Sequence, residues 1–166
     1  MKQEQFEVLK AINDATSRMD LNAFAQKVNL SPDQAIRQIQ ELAREGFLQK
    51  VGSGYGINEK GKLALKALSP VSYEMGFHFY LDIDKPLGLT TLTLKEFYNQ
   101  VKQVYSDSLE FHLYRGDFEK WISDVLKDPQ LASTITEAKI RMLRGEILRK
   151  ELLKVIDAKY NVEELT

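Results

Sequence analysis

The chain has no cysteine. A disulfide scaffold, a cysteine-ligated zinc site and a cysteine nucleophile are thereby excluded, and the composition fits a reducing compartment. Histidine occurs only at His78 and His112, and no HExxH spacing pins metal ligands onto a helix. Long apolar runs are missing as well. No strictly apolar stretch exceeds four residues, against the ~20 needed to cross a bilayer. The opening MKQEQFEVLKAIND is polar and amphipathic, unlike a secretory signal. Neither sign of charge dominates: 23 basic and 24 acidic side chains leave a formal net charge of -1. A protein that coats nucleic acid by uniform positive charge is therefore excluded. There is no GxGxxG or phosphate-loop sequence, so no cofactor is expected and the chain does not read as an enzyme. It reads as soluble and cytoplasmic, with no membrane partner.

What is present is enough for packed cores. The 166 residues are 43% hydrophobic and 28% charged, which allows one ordinary domain or two small ones. Ser69-Pro70 is a natural boundary, because proline disfavours helix in the residue before it. Residues 1–69 hold 10 basic and 8 acidic side chains, whereas residues 70–166 hold 13 and 16. The sign of that contrast marks the first domain as the partner of an anion.

Phe6, Leu9, Ala11 and Ile12 recur at helical spacing and predict a first helix over about Gln3 to Ala15. Asp20 is an N-cap for a short second helix, Leu21 to Val28. After Asn29-Leu30 comes the sharpest helix start in the chain. Ser31 is the N-cap, Pro32 sits at the first helical position, and Gln34 completes a capping box. This third helix runs to about Glu45 and stops at Gly46, a natural C′ residue. Phe47 to Val51 and Tyr55 to Ile57 read as two strands around the turn Gly52-Ser53-Gly54, and a fourth helix follows from about Glu59 to Leu68.

The order is helix, short helix, turn, capped helix, two-stranded ribbon, helix. Carried by DLNAFAQKVNLSPDQAIRQIQELAREGFLQKVGSGYGINEKGKLAL, it resembles a winged helix-turn-helix domain over about residues 3–68. In that superfamily the free face of the third helix enters the major groove of duplex DNA. Here Ala35, Ile39 and Leu42 form the core stripe. Asp33, Arg37, Gln40 and Arg44 lie opposite, flanked by Gln34 on one side and Ile36 on the other. Arginine can pair with guanine, glutamine with adenine, and Ile36 can meet a thymine methyl. Ser31, Lys50 and the wing residues Ser53, Gly54 and Tyr55 would contact the backbone. Asp33 and Glu41 repel phosphate and weaken the expected affinity.

In the second domain, Phe77 to Ile83 and Leu109 to Tyr114 alternate apolar and polar and predict two half-buried strands. Asp84 to Thr91, with Pro86 and Gly88, reads as a loop. Thr93 to Glu96 is a second capping box, opening a helix to about Val104. A crossover helix between the strands would allow them to be parallel, with further strand drawn from residues 71–76 or from a second subunit. Asp117 reads as the cap of a helix to Lys127. Asp128-Pro129 begins a short helix near Gln130 to Thr134, and a long helix is expected from about Thr136 to Tyr160. The fold class is α+β: an N-terminal winged helix with a three-helix core and β-hairpin wing, then a small α+β domain ending in that long helix. FHFY, TLKEF and SLEFHLYRGDFEKWISDVLKDPQLASTI, over about residues 74–140, resemble a C-terminal domain of uncharacterised archaeal proteins. The resemblance implies a cytoplasmic archaeal regulator and no established activity.

His78 and His112 fall in the polar register of the two expected strands and are weak candidates for a metal site; the plainer reading is packed or solvated sheet residues. On the long helix, Ile140, Leu143 and Ile147 form one stripe. Leu148, Leu152, Val155 and Ile156 lie toward another side, which points to a homodimer, while Lys139, Arg141, Arg144, Arg149, Lys150, Lys154 and Lys159 give the helix a basic excess. Three functions follow: a DNA-binding transcriptional regulator with room for a small-molecule effector; a protein-interaction module that uses the same fold as an assembly surface; and a ligand sensor on the histidine face.

Overall fold

The computed structural model describes residues 1–165 and has an α+β architecture, with two small antiparallel sheets among its helices. The chain divides into two compact units: Met1–Lys66 together with Glu164 and Leu165, and Ala67–Glu163. Among the described residues no helix is long and apolar enough to cross a membrane.

In the first unit, α1 (Gln3–Asp14), α2 (Leu21–Lys27) and α3 (Pro32–Arg44) precede a ribbon of β1 (Leu48–Val51) and β2 (Gly54–Ile57), and α4 (Glu59–Leu68) follows. Local chemistry fixes these limits. Asp20 accepts the amide of Ala23 and starts α2. Ser31 and Gln34 form the full capping box that starts α3. Both helices end with the residue after the C-cap in left-handed conformation, Asn29 at φ 56° and Gly46 at φ 82°. In each case the next amide reaches back across the last turn, Leu30 to the Ala25 carbonyl and Phe47 to the Leu42 carbonyl. The ribbon is antiparallel, with Leu48 opposite Ile57 and Lys50 opposite Tyr55. Val8, Leu9, Ala35 and Leu42 are fully enclosed, with Phe24, Phe47 and Leu48 packed around them. Ile39, expected in the same stripe, is only half-buried.

One short sequence, Asn58-Glu59-Lys60-Gly61, ties α4 to the end of α3. Asn58 donates its side-chain amide to the Gly46 carbonyl and accepts the Gly61 amide. Lys60 donates to the Glu45 carbonyl and lies over the Phe47 ring.

The second unit departs from expectation in three places. Its sheet is an antiparallel hairpin of β3 (Phe77–Asp82) and β4 (Lys85–Thr91), so the expected loop is a strand and no parallel crossover exists. The pairing shifts register between Phe79↔Leu89 and Tyr80↔Pro86, and Gly88 takes φ 68° inside that irregularity. Proline and a left-handed glycine are tolerated in a strand at such a bulge. After α5 (Leu94–Val101), the expected strand at Leu109–Tyr114 is instead α6 (Ser106–Arg115). Its buried residues are Ser108, Leu109, His112 and Leu113, which is helical spacing.

The third departure is the long helix. The segment is two helices, α8 (Pro129–Ile140) and α9 (Gly145–Tyr160). Met142 sits at φ 56°, and the amides of Met142 and Leu143 close onto the carbonyls of Lys139 and Ala138, a complete helix stop built without glycine at C′. Between α6 and α8, α7 (Asp117–Lys120) runs into a π turn, Trp121–Val125, closed by the Leu126 amide on the Trp121 carbonyl. Gly116 precedes α7, so Asp117 is a helical residue rather than its cap. The core is aromatic. Phe77 meets Phe79, Phe97 and Trp121 edge to face at centroid separations of 4.8, 5.3 and 5.6 Å and Phe118 in a tilted arrangement at 5.2 Å; aromatic pairs of this kind contribute beyond area burial alone.

Candidate nucleic-acid interface

The polar face of α3 is held outward because its other side is anchored by Ala35 and Leu42. Ser31, Asp33, Gln34, Ile36, Arg37, Gln40 and Arg44 are all exposed, as are Lys50, Ser53 and Tyr55 on the ribbon, with Gly54 half-buried. Arg37, Gln40 and Arg44 fall on one line along the helix. Seven residues separate the two arginines, two turns or about 10.5 Å of rise. Among the described residues neither guanidinium has a hydrogen-bond or ion-pair partner, and Lys50 has none either.

Three of the expected contact residues, Ser31, Gln34 and Ser53, have prior engagements. The Gln34 side-chain oxygen accepts the Ser31 amide, and the Ser31 hydroxyl oxygen accepts the Gln34 amide, at 3.0 and 3.2 Å. Gln34 therefore presents only its NH₂ group, and a bidentate adenine contact would require breaking the cap. On the ribbon, Ser53 Oγ accepts from Arg18 at 2.5 Å. Arg18 thus stands at the tip of the ribbon, a position no local motif in the α1–α2 connection signals.

Between the ribbon and the α1–α2 connection lies an open groove of about 1030 Å³, reached by Phe24, Ile39, Met19, Leu21, Val51 and Tyr55. Val51 is 59% exposed. Unpaired cations thus stand on α3 and on β1, while the groove is lined by apolar side chains together with Arg18, Asp20 and Ser53.

The second unit presents its cations differently. Lys139 pairs with Glu119, Arg141 and Lys154 with Glu151, Arg144 with Glu110, Arg149 with Glu146, and Lys159 with Asp128. The basic excess read along the last helix is therefore largely balanced within its own unit. Of the expected dimer residues, Leu148, Leu152 and Ile156 are fully buried in that unit's core. Their removal from the surface follows from the helix break, which folds α9 back onto the core. Val155 and Leu143 are half-buried, and Ile140 and Ile147 remain exposed beside Met142.

The two histidines do not share a sheet face. His78 is on β3, its Nδ1 2.8 Å from the Thr90 hydroxyl. His112 is on α6 and buried. Its Nε2 accepts the Tyr80 amide at 2.8 Å, so its proton sits on Nδ1 and is donated to Asp117 Oδ2, also at 2.8 Å. Burial holds the imidazole below its ordinary value, and the Asp117 carboxylate offsets this only in part. With both nitrogens engaged, His112 has no lone pair for a metal. Among the described residues no group of three His, Cys, Asp or Glu side chains is placed to hold an ion.

Compared with protein-family models, with curated proteins and with solved structures, the chain matches none.

Proposed function

We propose that the protein is a DNA-binding transcriptional regulator whose first unit is a winged helix, with α3 as the helix that enters the major groove and the β1–β2 ribbon as the wing. The observation that carries this reading is the line of Arg37, Gln40 and Arg44: exposed, rigidly backed, and with both guanidiniums unpaired. An unpaired arginine on a helix face is the group that binds phosphate or reads guanine. The contrast with α8 and α9, where most of the cations are paired, supports this reading. The charge on α3 is modest, so a homodimer doubling the contacts completes the proposal. Ile140, Met142 and Ile147 are the exposed apolar residues left for that contact.

The test is a fluorescence-anisotropy titration of the purified chain with promoter and random-sequence duplexes at two salt concentrations. Tight, salt-sensitive binding that prefers one sequence is expected. Substituting R37Q and R44Q together should flatten the log–log salt slope by about 2 per bound subunit. An unchanged slope removes these residues from the interface.

A second reading, an assembly module on the same fold, is favoured by one observation, the apolar groove beside the ribbon with Val51 and Tyr55 exposed on it. Absence of duplex binding at low salt supports this reading instead.

A further inference from the structure

The second unit contains a pocket of about 460 Å³, lined by residues of β3, the turn that follows it, α6 and the start of α7. Its size lies within the range of about 300–1,000 Å³ typical of small-molecule sites. The walls are mainly aromatic and apolar: Phe77 and Tyr80 from β3, Ile83 from the turn, and Phe111 from α6. Ile83 is 69% exposed, a large apolar side chain left open beside a concave surface.

The polar groups of the pocket differ in what they have left to offer. His112 has both ring nitrogens engaged. Asp117 Oδ2 accepts the hydrogen bond from His112 Nδ1 and faces Arg115 Nε at 3.5 Å. Arg115 is the charged group that keeps free donors. Its guanidinium lies over the Phe111 ring, 4.8 Å from the centroid, and its side chain is 49% exposed. The Phe111 ring on one side and Asp117 beside Nε hold the head of the side chain at the pocket. The two terminal nitrogens have no partner among the described residues. A planar fork with both terminal nitrogens free suits bidentate pairing with a carboxylate. The His78 ring lines the same pocket, with Nδ1 on Thr90 and Nε2 left as a second polar anchor.

Charge selects among anions. Arg115 and Asp117 together carry no net charge, so what the site offers an anion is the two free nitrogens of one fork, enough for one carboxylate. A phosphate dianion would meet the Asp117 carboxylate without a second cation to offset it.

We propose that this pocket binds a small monocarboxylic acid with an aromatic or branched apolar body. The carboxylate sits on Arg115, and the body lies against Phe77, Tyr80, Ile83 and Phe111. The assignment stands independently of DNA binding and gives the second unit a ligand class of its own.

The experiment is an NMR titration of the ¹⁵N-labelled full chain with phenylacetate, phenylacetamide and inorganic phosphate. Phenylacetate should give saturable shifts confined to amides of Gly76–Ile83 and Phe111–Asp117, together with the Arg115 Nε–H resonance. Phenylacetamide and phosphate should bind about tenfold more weakly or worse, since a charge-assisted pair is the larger part of the recognition. R115Q should weaken phenylacetate by about tenfold or more, and R115K, which keeps the charge without the fork, should recover only part of it. The half-exposed position of Arg115 keeps both variants folded, and unchanged dispersion of the remaining resonances verifies that. The proposal is overturned if no probe gives saturable shifts at millimolar concentration, if phenylacetamide or phosphate binds as well as phenylacetate, or if R115Q binds phenylacetate unchanged.

Discussion

Replacing Gly61 by alanine should destabilise the first unit, against the ordinary rule for a helix. In an exposed helix the change gains about 1 kcal/mol, because alanine loses less backbone entropy. At Gly61, however, an added Cβ would stand 2.4 Å from the Phe47 carbonyl oxygen and 2.6 Å from Ile57 Cγ1. The first distance is about 0.9 Å short of the ~3.3 Å at which carbon and carbonyl oxygen meet. Turning the carbonyl away would give up the bond it accepts from the Asn58 amide, at 3.4 Å. The helix start cannot slide, because Asn58 clamps it to Gly46 and to Gly61 itself. Overpacking of this kind costs ~1–3 kcal/mol, and more where backbone is the obstacle. The net expectation is a loss of about 2 kcal/mol. The only tryptophan, Trp121, lies in the second unit, so the assay must report on the first. Native-state hydrogen exchange does so, and amides of α1 and α3 should exchange roughly 30-fold faster. Gly52→Ala is the control, since Gly52 has φ 61° and no neighbour within 4 Å of a new Cβ. It should cost only the left-handed backbone strain, about 1–2 kcal/mol. Exchange in G61A equal to or slower than in the parent chain would refute the steric argument.

Two further outcomes concern the second unit and are read from Trp121 emission in urea. The His112 imidazole is held below its ordinary value of 6.5 by burial, so the unfolded chain takes up that proton first. Stability should be complete above about pH 6.5 and fall as pH drops below it, by up to ~1.4 kcal/mol per pH unit, and H112Q should lack this component of the slope. Asp128 is buried at the N-cap of α8. There burial pushes its carboxyl up, but hydrogen bonds from Lys159, Tyr160 and the Leu131 amide outweigh it and hold the carboxyl below its usual range. D128A should cost about 3 kcal/mol through the lost cap and charge-assisted bonds; a loss under ~1 kcal/mol would mean that neighbouring groups re-pair.

The first unit is legible in the sequence because its boundaries are local. Ser31, Gln34, Asp20 and Gly46 each act within four residues of themselves. The misread elements have causes that lie far along the chain. Leu109, Phe111 and Leu113 alternate like a strand, yet α6 turns Ser108 and His112 inward, where Ser108 donates to the Tyr80 carbonyl and His112 accepts the Tyr80 amide. A polar residue buried to satisfy distant backbone cannot be told from a solvated one by periodicity alone. The α8–α9 break was hidden because Met142, not glycine, takes the left-handed position, while Gly145 lies three residues late. For the candidate interface, periodicity found the exposed face of α3. It could not find Arg18 at the ribbon tip or the groove beside it, both of which exist only once the connection folds against the ribbon.

The capture of both Tyr80 backbone groups by α6 has a consequence for the hairpin as a surface. A two-stranded sheet presents unpaired amides and carbonyls that invite an incoming chain to extend it, the usual route to edge-to-edge self-association. At Tyr80, opposite a proline that has no amide to donate, those groups are already taken by a serine hydroxyl and an imidazole. The helix acts there as a molecular stopper, and the hairpin stays two strands wide at that register.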